Sequence, residues 1–562
     1  MVPLDNFRSR GTQSRHGRPE GPHPPPLGSL ISGAYGYFLS MRTRCLVAFV
    51  AGLALAAAFP PIHAFWVLPF AVAAFFVVTD ALPMRRAWLP GLVFGTSFQV
   101  SLLWWLHVVG TVPWLGLSFT QTVWYAVLGV AVVPLRRLPG GPVWLAAAWV
   151  AMESIRCTWP AGGMPWGRLS YAVVDTPVAG SLPFIGATGV SLVLALAGAL
   201  LAAAYRTRGR ARLVPVAVAV GVLGLASVPE LAPYSADTTG RVDVAAVQGD
   251  VPGNGTDVLA HYRQITDQHE KETGKLAADV RAGRTAEPDF VVWPENSTAV
   301  DPFEDSQMDA DIEAALQVIN VPILAGVIVD GGPKHVYNQG IVYDPVTGAG
   351  DRYTKWHPVP FGEYIPWRWL FGSHLAQLNQ ISRDMVSGTR VEPLDVGGTR
   401  VADAICFDVA YDDGLYAQLS HGGQLVVVQT SNAMFIHTSQ IDQQFAISRL
   451  RAIETHRYVV VAAINGITGV IAPDGSVVAS VPTRTQAYVD SSVGLFDTVT
   501  PAVRIGPWLG RACAGLVVLG WLLALGQYRR SRRTQAIPAL PHRVDATTTD
   551  PAVVGPTDRT PA

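Results

Sequence analysis

A chain of 562 residues that is 49% hydrophobic, only 15% charged and of mean hydropathy +0.28 is too apolar for a soluble enzyme of that length, and points to a membrane protein. A formal net charge of −1 leaves no basic excess and argues against a nucleic-acid partner. The four cysteines, Cys45, Cys157, Cys406 and Cys513, lie far apart, which leaves no CxxC metal pattern and no disulfide framework.

Residues 1–42 are rich in proline, glycine and arginine, and read as a disordered tail with no signal-peptide pattern. Apolar runs of membrane length follow at 43–59, 64–80, 88–109, 113–135, 142–155, 183–205 and 213–228, with an eighth at 507–527. Arginines fall at every second connection: Arg42 and Arg44, Arg85 and Arg86, Arg136 and Arg137, the set Arg206 to Arg212, and the set Arg529 to Arg533. The positive-inside rule places these clusters, and with them both termini, in the cytoplasm. The predicted organisation is therefore a membrane domain of seven spans over 43–230, an extracytoplasmic domain over 231–505, an eighth span over 506–528 and a disordered cytoplasmic tail over 529–562. The loop 157–171, rich in glycine and tryptophan, is predicted outside with its backbone at the membrane interface.

The outer domain alternates β-prone runs with helix-like stretches. Strands are predicted at 242–248, 289–293, 321–329, 401–406, 425–429 and 459–464, and helices at 256–282, 305–318 and 440–455. A hairpin is predicted from 336–343 and 350–355, and Pro473-Asp474-Gly475 marks a turn in a final hairpin. Such alternation argues for a layered α/β domain. The segment 365–386, with Pro366, Trp367, Arg368, Trp369, Leu370 and Phe371 and then Leu375 and Leu378, suits a loop that dips into lipid headgroups.

Three islands end a strand or hairpin with one reactive side chain: Glu295 in V-V-W-P-E-N, Lys355 in Y-T-K-W-H-P-V-P-F-G-E-Y and Cys406 in A-I-C-F-D. A carboxylate can take the thiol proton, a thiolate can attack an ester carbonyl, and an ammonium can steady both the thiolate and the oxyanion. Taken singly, each has a plainer reading: a capping acid, one arm of a surface ion pair, a small buried hydrophobe.

Taken in order, W-P-E, K-W-H-P-V-P-F-G-E-Y and I-C-F-D resemble the Glu–Lys–Cys signature of the nitrilase (carbon-nitrogen hydrolase) superfamily. An eight-span framework with that domain between its seventh and eighth spans resembles the apolipoprotein N-acyltransferase family. The resemblance implies an αββα sandwich, with Glu295 as general base, Lys355 stabilising the oxyanion and Cys406 accepting the acyl group. Glu363 and Asn338, by the same resemblance, and Asp408, two positions after the nucleophile, are taken as supporting residues. It implies a phospholipid acyl donor, a diacylated apolipoprotein acceptor, the bacterial inner membrane as location, and neither metal nor diffusible cofactor. The family commonly carries C-Y-E where this chain has Cys406-Phe407-Asp408, and S-N-D-A-W-F where it has Ser431-Asn432-Ala433-Met434-Phe435. Two rival expectations are a membrane-tethered nitrilase-like amidase and a catalytically idle scaffold for an envelope-biosynthesis enzyme. A transporter is disfavoured, because the ionisable residues of the spans, chiefly Asp80 and Glu153, sit near span ends.

Overall fold

The computed structural model describes residues 39–371 and 381–535. The predicted tails, apart from their inner ends, and Leu375 and Leu378 of the predicted headgroup loop lie outside the described residues.

Each predicted span is helical: α1 Met41–Ala57, α2 Leu68–Val78, α3 Met84–Leu102, α4 Thr111–Leu135, α5 Gly141–Arg156, α6 Leu182–Arg206 and α7 Leu213–Ser227. Prolines open α2, α5 and α6, where a missing N–H costs nothing. Among the described residues, four helical stretches are long and apolar enough to cross a membrane: Thr111–Leu135, Pro177–Arg206, Gly209–Glu230 and Trp508–Arg532. The others are shorter or carry charge: α1 has 17 residues, α2 has 11 and α5 has 16, while α3 begins with Arg85 and Arg86. The span predicted at 88–109 is not one helix. It stops at Leu102 and continues as a 3₁₀ turn, Trp104–Val108, in which the Trp104 and His107 rings stack at 4.6 Å. Contact between positions three apart suits the three-residue repeat of that turn.

The domain between α7 and the last long helix comprises β1 Gly240–Gln248, α8 Tyr262–Arg281, β2 Phe290–Val292, α9 Ser306–Ile319, β3 Ile323–Asp330, β4 His335–Asp344, β5 Gly348–Thr354, α10 Arg368–Phe371 and β6 Asp384–Met385. It continues through β7 Leu394–Val396, β8 Thr399–Ile405, α11 Asp413–Ser420, β9 Leu425–Thr430, α12 Gln440–Thr455, β10 Val459–Ala463, β11 Thr468–Ile471, β12 Val477–Val481 and β13 Ala487–Leu495. Then come α13 Pro501–Ile505 and α14 Trp508–Gln535, so the last helix runs beyond the predicted edge at 528.

Among the described residues the strands form two sheets. One runs β13-β1-β2-β3-β4-β5 with β6 against β4; the other runs β12-β11-β10-β9-β8-β7. In each, three neighbouring strands are parallel: β1, β2 and β3, and β8, β9 and β10. Alternation along β1 shows how the layers are built. Val242, Val244 and Ala246 pack between the sheets with Val292, Leu324, Val427 and Val460, while Ala245 and Val247 turn outward under Leu276 of α8 and Ile312 of α9. Burying each such valine or leucine contributes about 1.5–3 kcal/mol. The outer face of the second sheet, Ala402, Val426 and Val461, packs on Leu419 of α11 and Leu450 of α12. That layer is continuous with the apolar helices through Tyr171, Leu182 and Val190. The order of layers is helix, sheet, sheet, helix.

The loop 157–171 corrects its prediction. Residues 163–171 are buried, because Tyr411 OH donates to Gly163 O at 3.1 Å and Trp166 Nε1 donates to Gln443 Oε1 at 2.7 Å. Polar partners on α12 and on the turn before α11 satisfy groups that would otherwise need water, so the loop packs inward; Trp159 alone of its tryptophans is exposed, at 62%.

Candidate active site

The site gathers at the carboxyl ends of β2, β5, β8 and β9, as ligand and catalytic residues do on α/β sheets. Beyond β2 the chain turns through Trp293-Pro294 to Glu295, which is 3% exposed. Gly326 of β3 makes room for that turn, since a Cβ there would stand 2.3 Å from Pro294 O and 2.6 Å from Glu295 Cα. Glu295 Oε1 accepts from Asn338 Nδ2 at 2.8 Å and from Lys355 Nζ at 3.1 Å, and Oε2 accepts from Ser431 N at 2.7 Å. A carboxylate held by three donors is fixed in orientation.

Lys355 follows β5 directly, and its N–H donates to Asn338 O at 2.9 Å. Its ammonium is wholly buried and donates to Glu363 Oε1 at 2.7 Å as well as to Glu295. Burial would lower its pKa, but the Glu295 and Glu363 carboxylates outweigh that and hold it well above the usual lysine value. Glu363 is itself anchored by Val359 N, 2.8 Å from Oε2, and burial pushes its carboxyl up against the pull of Lys355. The plainer readings of Glu295 and Lys355, a cap and a surface pair, are not what the structure contains.

The strand predicted to end in the cysteine stops one residue earlier, at Ile405. Cys406 has φ +54°, a left-handed backbone that costs a non-glycine residue about 1–3 kcal/mol, and starts the 3₁₀ turn Cys406–Ala410. That bend lifts the thiol out of the sheet, and Cys406 is partly buried rather than sealed in a core. Burial, and next the Glu295 charge, push the thiol up to about 12, with Lys355 pulling the other way. The resting side chain is therefore a thiol, and a nucleophile has to be made by removing its proton. Among the described residues no group of three or more His, Cys, Asp or Glu side chains could hold a metal ion.

Residues 51–200 match the apolipoprotein N-acyltransferase N-terminal domain, and residues 243–495 match the carbon-nitrogen hydrolase family. An apolipoprotein N-acyltransferase of Mycolicibacterium smegmatis is 36% identical over 545 residues, spanning 90% of this chain and 91% of the relative. One of Ralstonia nicotianae is 30% identical over 527 residues, spanning 87% and 95%. The chain belongs to the apolipoprotein N-acyltransferase family.

Within that family identity, the departures of this chain acquire a structure. Asp408, the shorter acid, accepts from Tyr353 OH at 2.9 Å, Trp356 N at 3.2 Å, and His357 N and Nδ1 at 2.8 and 3.1 Å. It locks the segment after Lys355 to the turn after Cys406. Phe407 is buried, stacking on Trp166 at 6.2 Å and edge-on to Tyr411 at 5.1 Å. Ala433 is buried, Met434 is half-exposed and Phe435 meets Trp105 edge-on at 5.1 Å.

Three further groups join the site without a sequence pattern that gives them a role: the Ser431 amide, Thr430 and Gln444. Gln444 Nε2 donates to Cys406 O at 3.3 Å and to Thr430 Oγ1 at 2.9 Å. A signal existed for the first two, since the apolar run of β9 ends abruptly in Thr430-Ser431-Asn432 at the edge where the other strands end. Nothing in the sequence marks Gln444, on a helix 38 residues past the cysteine.

His357, inside the K-W-H-P island, joins the same network. Its ring stacks on Tyr411 at 3.7 Å and bridges Asp408 and Asp413, the latter at 3.3 Å. Burial works to lower its pKa, but hydrogen bonds to Asp408 and then Asp413 win and push it up to about 9. A raised base contributes stability that is full below about pH 6.5 and is lost as pH rises through about 9, up to about 3 kcal/mol in all. The thermal midpoint in detergent is expected to fall from pH 6 to pH 10 in the wild type, and to fall clearly less in His357→Gln. Equal slopes in both proteins would contradict the role of the imidazolium.

Proposed function

We propose that this chain moves a fatty acyl group from a phospholipid, through a thioester on Cys406, to the α-amino group of the N-terminal S-diacylglyceryl cysteine of lipoproteins. The observation that carries the reading is the buried Lys355 ammonium held between Glu295 and Glu363 and charge-coupled to Cys406. Two of its three protons are engaged, which leaves one for the carbonyl oxygen of a substrate. Glu295 takes the Cys406 proton as sulfur attacks the ester, the C–S bond forms, and the C–O bond breaks. Glu295 returns the proton to the departing lysophospholipid alkoxide. The amine of the acceptor then attacks the thioester, the C–N bond forms as C–S breaks, and Glu295 passes the amine proton to the thiolate. Asn338 and Glu363 orient the base and the ammonium, and Asp408 positions the lysine-bearing segment.

The same reading places eight spans in a bacterial inner membrane, with residues 231–505 outside and both termini in the cytoplasm. Supporting it, arginines from three separate predicted cytoplasmic clusters converge on Asp80. Arg136 pairs with its carboxylate at 2.8 Å, Arg206 at 3.0 Å, and Arg44 donates to its carbonyl at 2.6 Å. Exposed Trp367 and Trp369, either side of an Arg368 tied to Asp384, support lipid contact by that loop.

The deciding experiment incubates the purified protein with a phospholipid and no acceptor, followed by intact mass spectrometry. One fatty acyl mass is expected, removable by hydroxylamine, absent in Cys406→Ala, and discharged by a diacylated lipopeptide. Steady release of free fatty acid without acceptor would favour the hydrolase, and no adduct with any phospholipid would overturn the reading.

A further inference from the structure

Cys406 has a neutral neighbour that the reaction scheme does not yet use. In the parallel pairing of β8 and β9, Ile405 stands opposite Gln429, so the next residues, Cys406 and Thr430, leave their strands side by side. Thr430 is 2% exposed and Gln444 is 3% exposed, so no bulk water competes for their polar groups.

The direction of each proton follows from the partners. The Cys406 carbonyl can only accept, so the Gln444 group facing it at 3.3 Å is the amide NH₂. Gln444 Oε1 points the other way and accepts from Gln440 Nε2 at 2.6 Å and Asn432 Nδ2 at 3.1 Å. The same NH₂ therefore donates to Thr430 Oγ1 at 2.9 Å. An Oγ that accepts from Gln444 has its own proton to give. Thr430 follows Gln429, the register partner of Ile405, and shares the Gln444 amide with Cys406, so that proton lies on the side of the sulfur, whose pKa Thr430 draws down.

We propose that Thr430 is a further catalytic residue, whose hydroxyl, aimed by the positioning residue Gln444, donates to Cys406 Sγ whenever sulfur carries negative charge. The inference rests on Cys406 being the nucleophile. Sulfur bears negative charge at two points of the reaction: as Glu295 takes its proton during the attack, and when C–S breaks as the acceptor amine takes the acyl group. Thr430 lowers the barrier to both without gaining or losing a proton. The charged groups facing the sulfur are Glu295, Lys355 and Glu363, while α12 presents the neutral Gln440 and Gln444. The dependence on Thr430 is thus superimposed on three unchanged charges.

The test follows two readouts in the full-length protein in detergent: the pH profile of Cys406 alkylation by iodoacetamide, read by peptide mass, and the rate of acyl-adduct formation from phospholipid. Thr430→Val is expected to move the alkylation profile up by about one pH unit and to slow acylation about 10- to 100-fold at unchanged phospholipid KM, with Thr430→Ser restoring both. Gln444→Met keeps the hydroxyl but releases its aim, and is expected to give the same shift at smaller amplitude, which serves if Thr430→Val does not fold. An alkylation profile and acylation rate unchanged in a folded variant would overturn the proposal while leaving Cys406 as nucleophile. Absence of any adduct on the wild type would instead overturn the underlying reading, and the alkylation profile would still decide whether Thr430 touches the sulfur.

Discussion

Lys355→Met is expected to slow acylation of Cys406 by roughly 10²–10³-fold, the usual cost of removing one donor aimed at an oxyanion. It is also expected to lower the thermal midpoint, because Glu295 and Glu363 then share a buried site with no cation. Leaving a buried charge unpaired costs about 3–5 kcal/mol, unless the carboxylates take up a proton. They will do so more readily as pH falls. A carboxylate whose folded pKa is raised contributes stability at low pH that is lost as pH rises, so the gap between wild type and variant should narrow from pH 8 to pH 5. Thermal scans at the two pH values, with single-turnover acylation by mass spectrometry, provide the check. A gap of constant size would mean that Lys355 is not what offsets the buried acids Glu295 and Glu363. Lys355→Arg should not rescue, since a planar guanidinium cannot replace a compact ammonium between two fixed acids.

Glu295→Gln separates two roles that are usually lost together. The amide keeps the shape of the acid and can still accept from Asn338 and Lys355, but its NH₂ then faces the Ser431 amide, donor against donor. With the base gone, acyl transfer should fall about 10²–10⁴-fold. The Glu295 charge, after burial, is what pushes the Cys406 thiol up, so its removal should move the alkylation profile to lower pH. Iodoacetamide should therefore label Cys406 faster at pH 9 in the variant that has lost acyl transfer. If labelling and transfer fall in parallel, Glu295 acts by making the thiolate available rather than by moving protons during the reaction. Thr430→Val is expected to move labelling in the opposite direction, which keeps the two effects apart in one assay.

The residues proposed to react stand out in the sequence because each belongs to a local pattern. W-P-E, K-W-H-P and I-C-F-D are short, each follows a β-prone run, and local propensity is enough to end those runs at one edge. The helices were legible for a similar reason, since a run of apolar residues is a property of neighbours along the chain. What the sequence by itself determined is thus the identity of the thiol, ammonium and carboxylate, and the alternation of strand and helix that delivers them.

Tertiary structure decided how those groups behave. Burial of Lys355 against two acids comes from segments 60 and 8 residues away, and no local pattern encodes such a pairing. Backbone geometry at Cys406, left-handed where a strand was expected to continue, follows from the chain having to turn at the sheet edge. The loop 157–171 reads as interfacial by composition, yet packs against the turn that follows Cys406 and against α12, because Tyr411 and Gln443 supply its partners. Thr430 and Gln444 look like an ordinary strand end and an ordinary helix glutamine. They acquire a direction only when a backbone carbonyl fixes which end of the Gln444 amide faces the Thr430 hydroxyl, because hydrogen bonding is directional and its partners are brought together by the fold rather than by the chain.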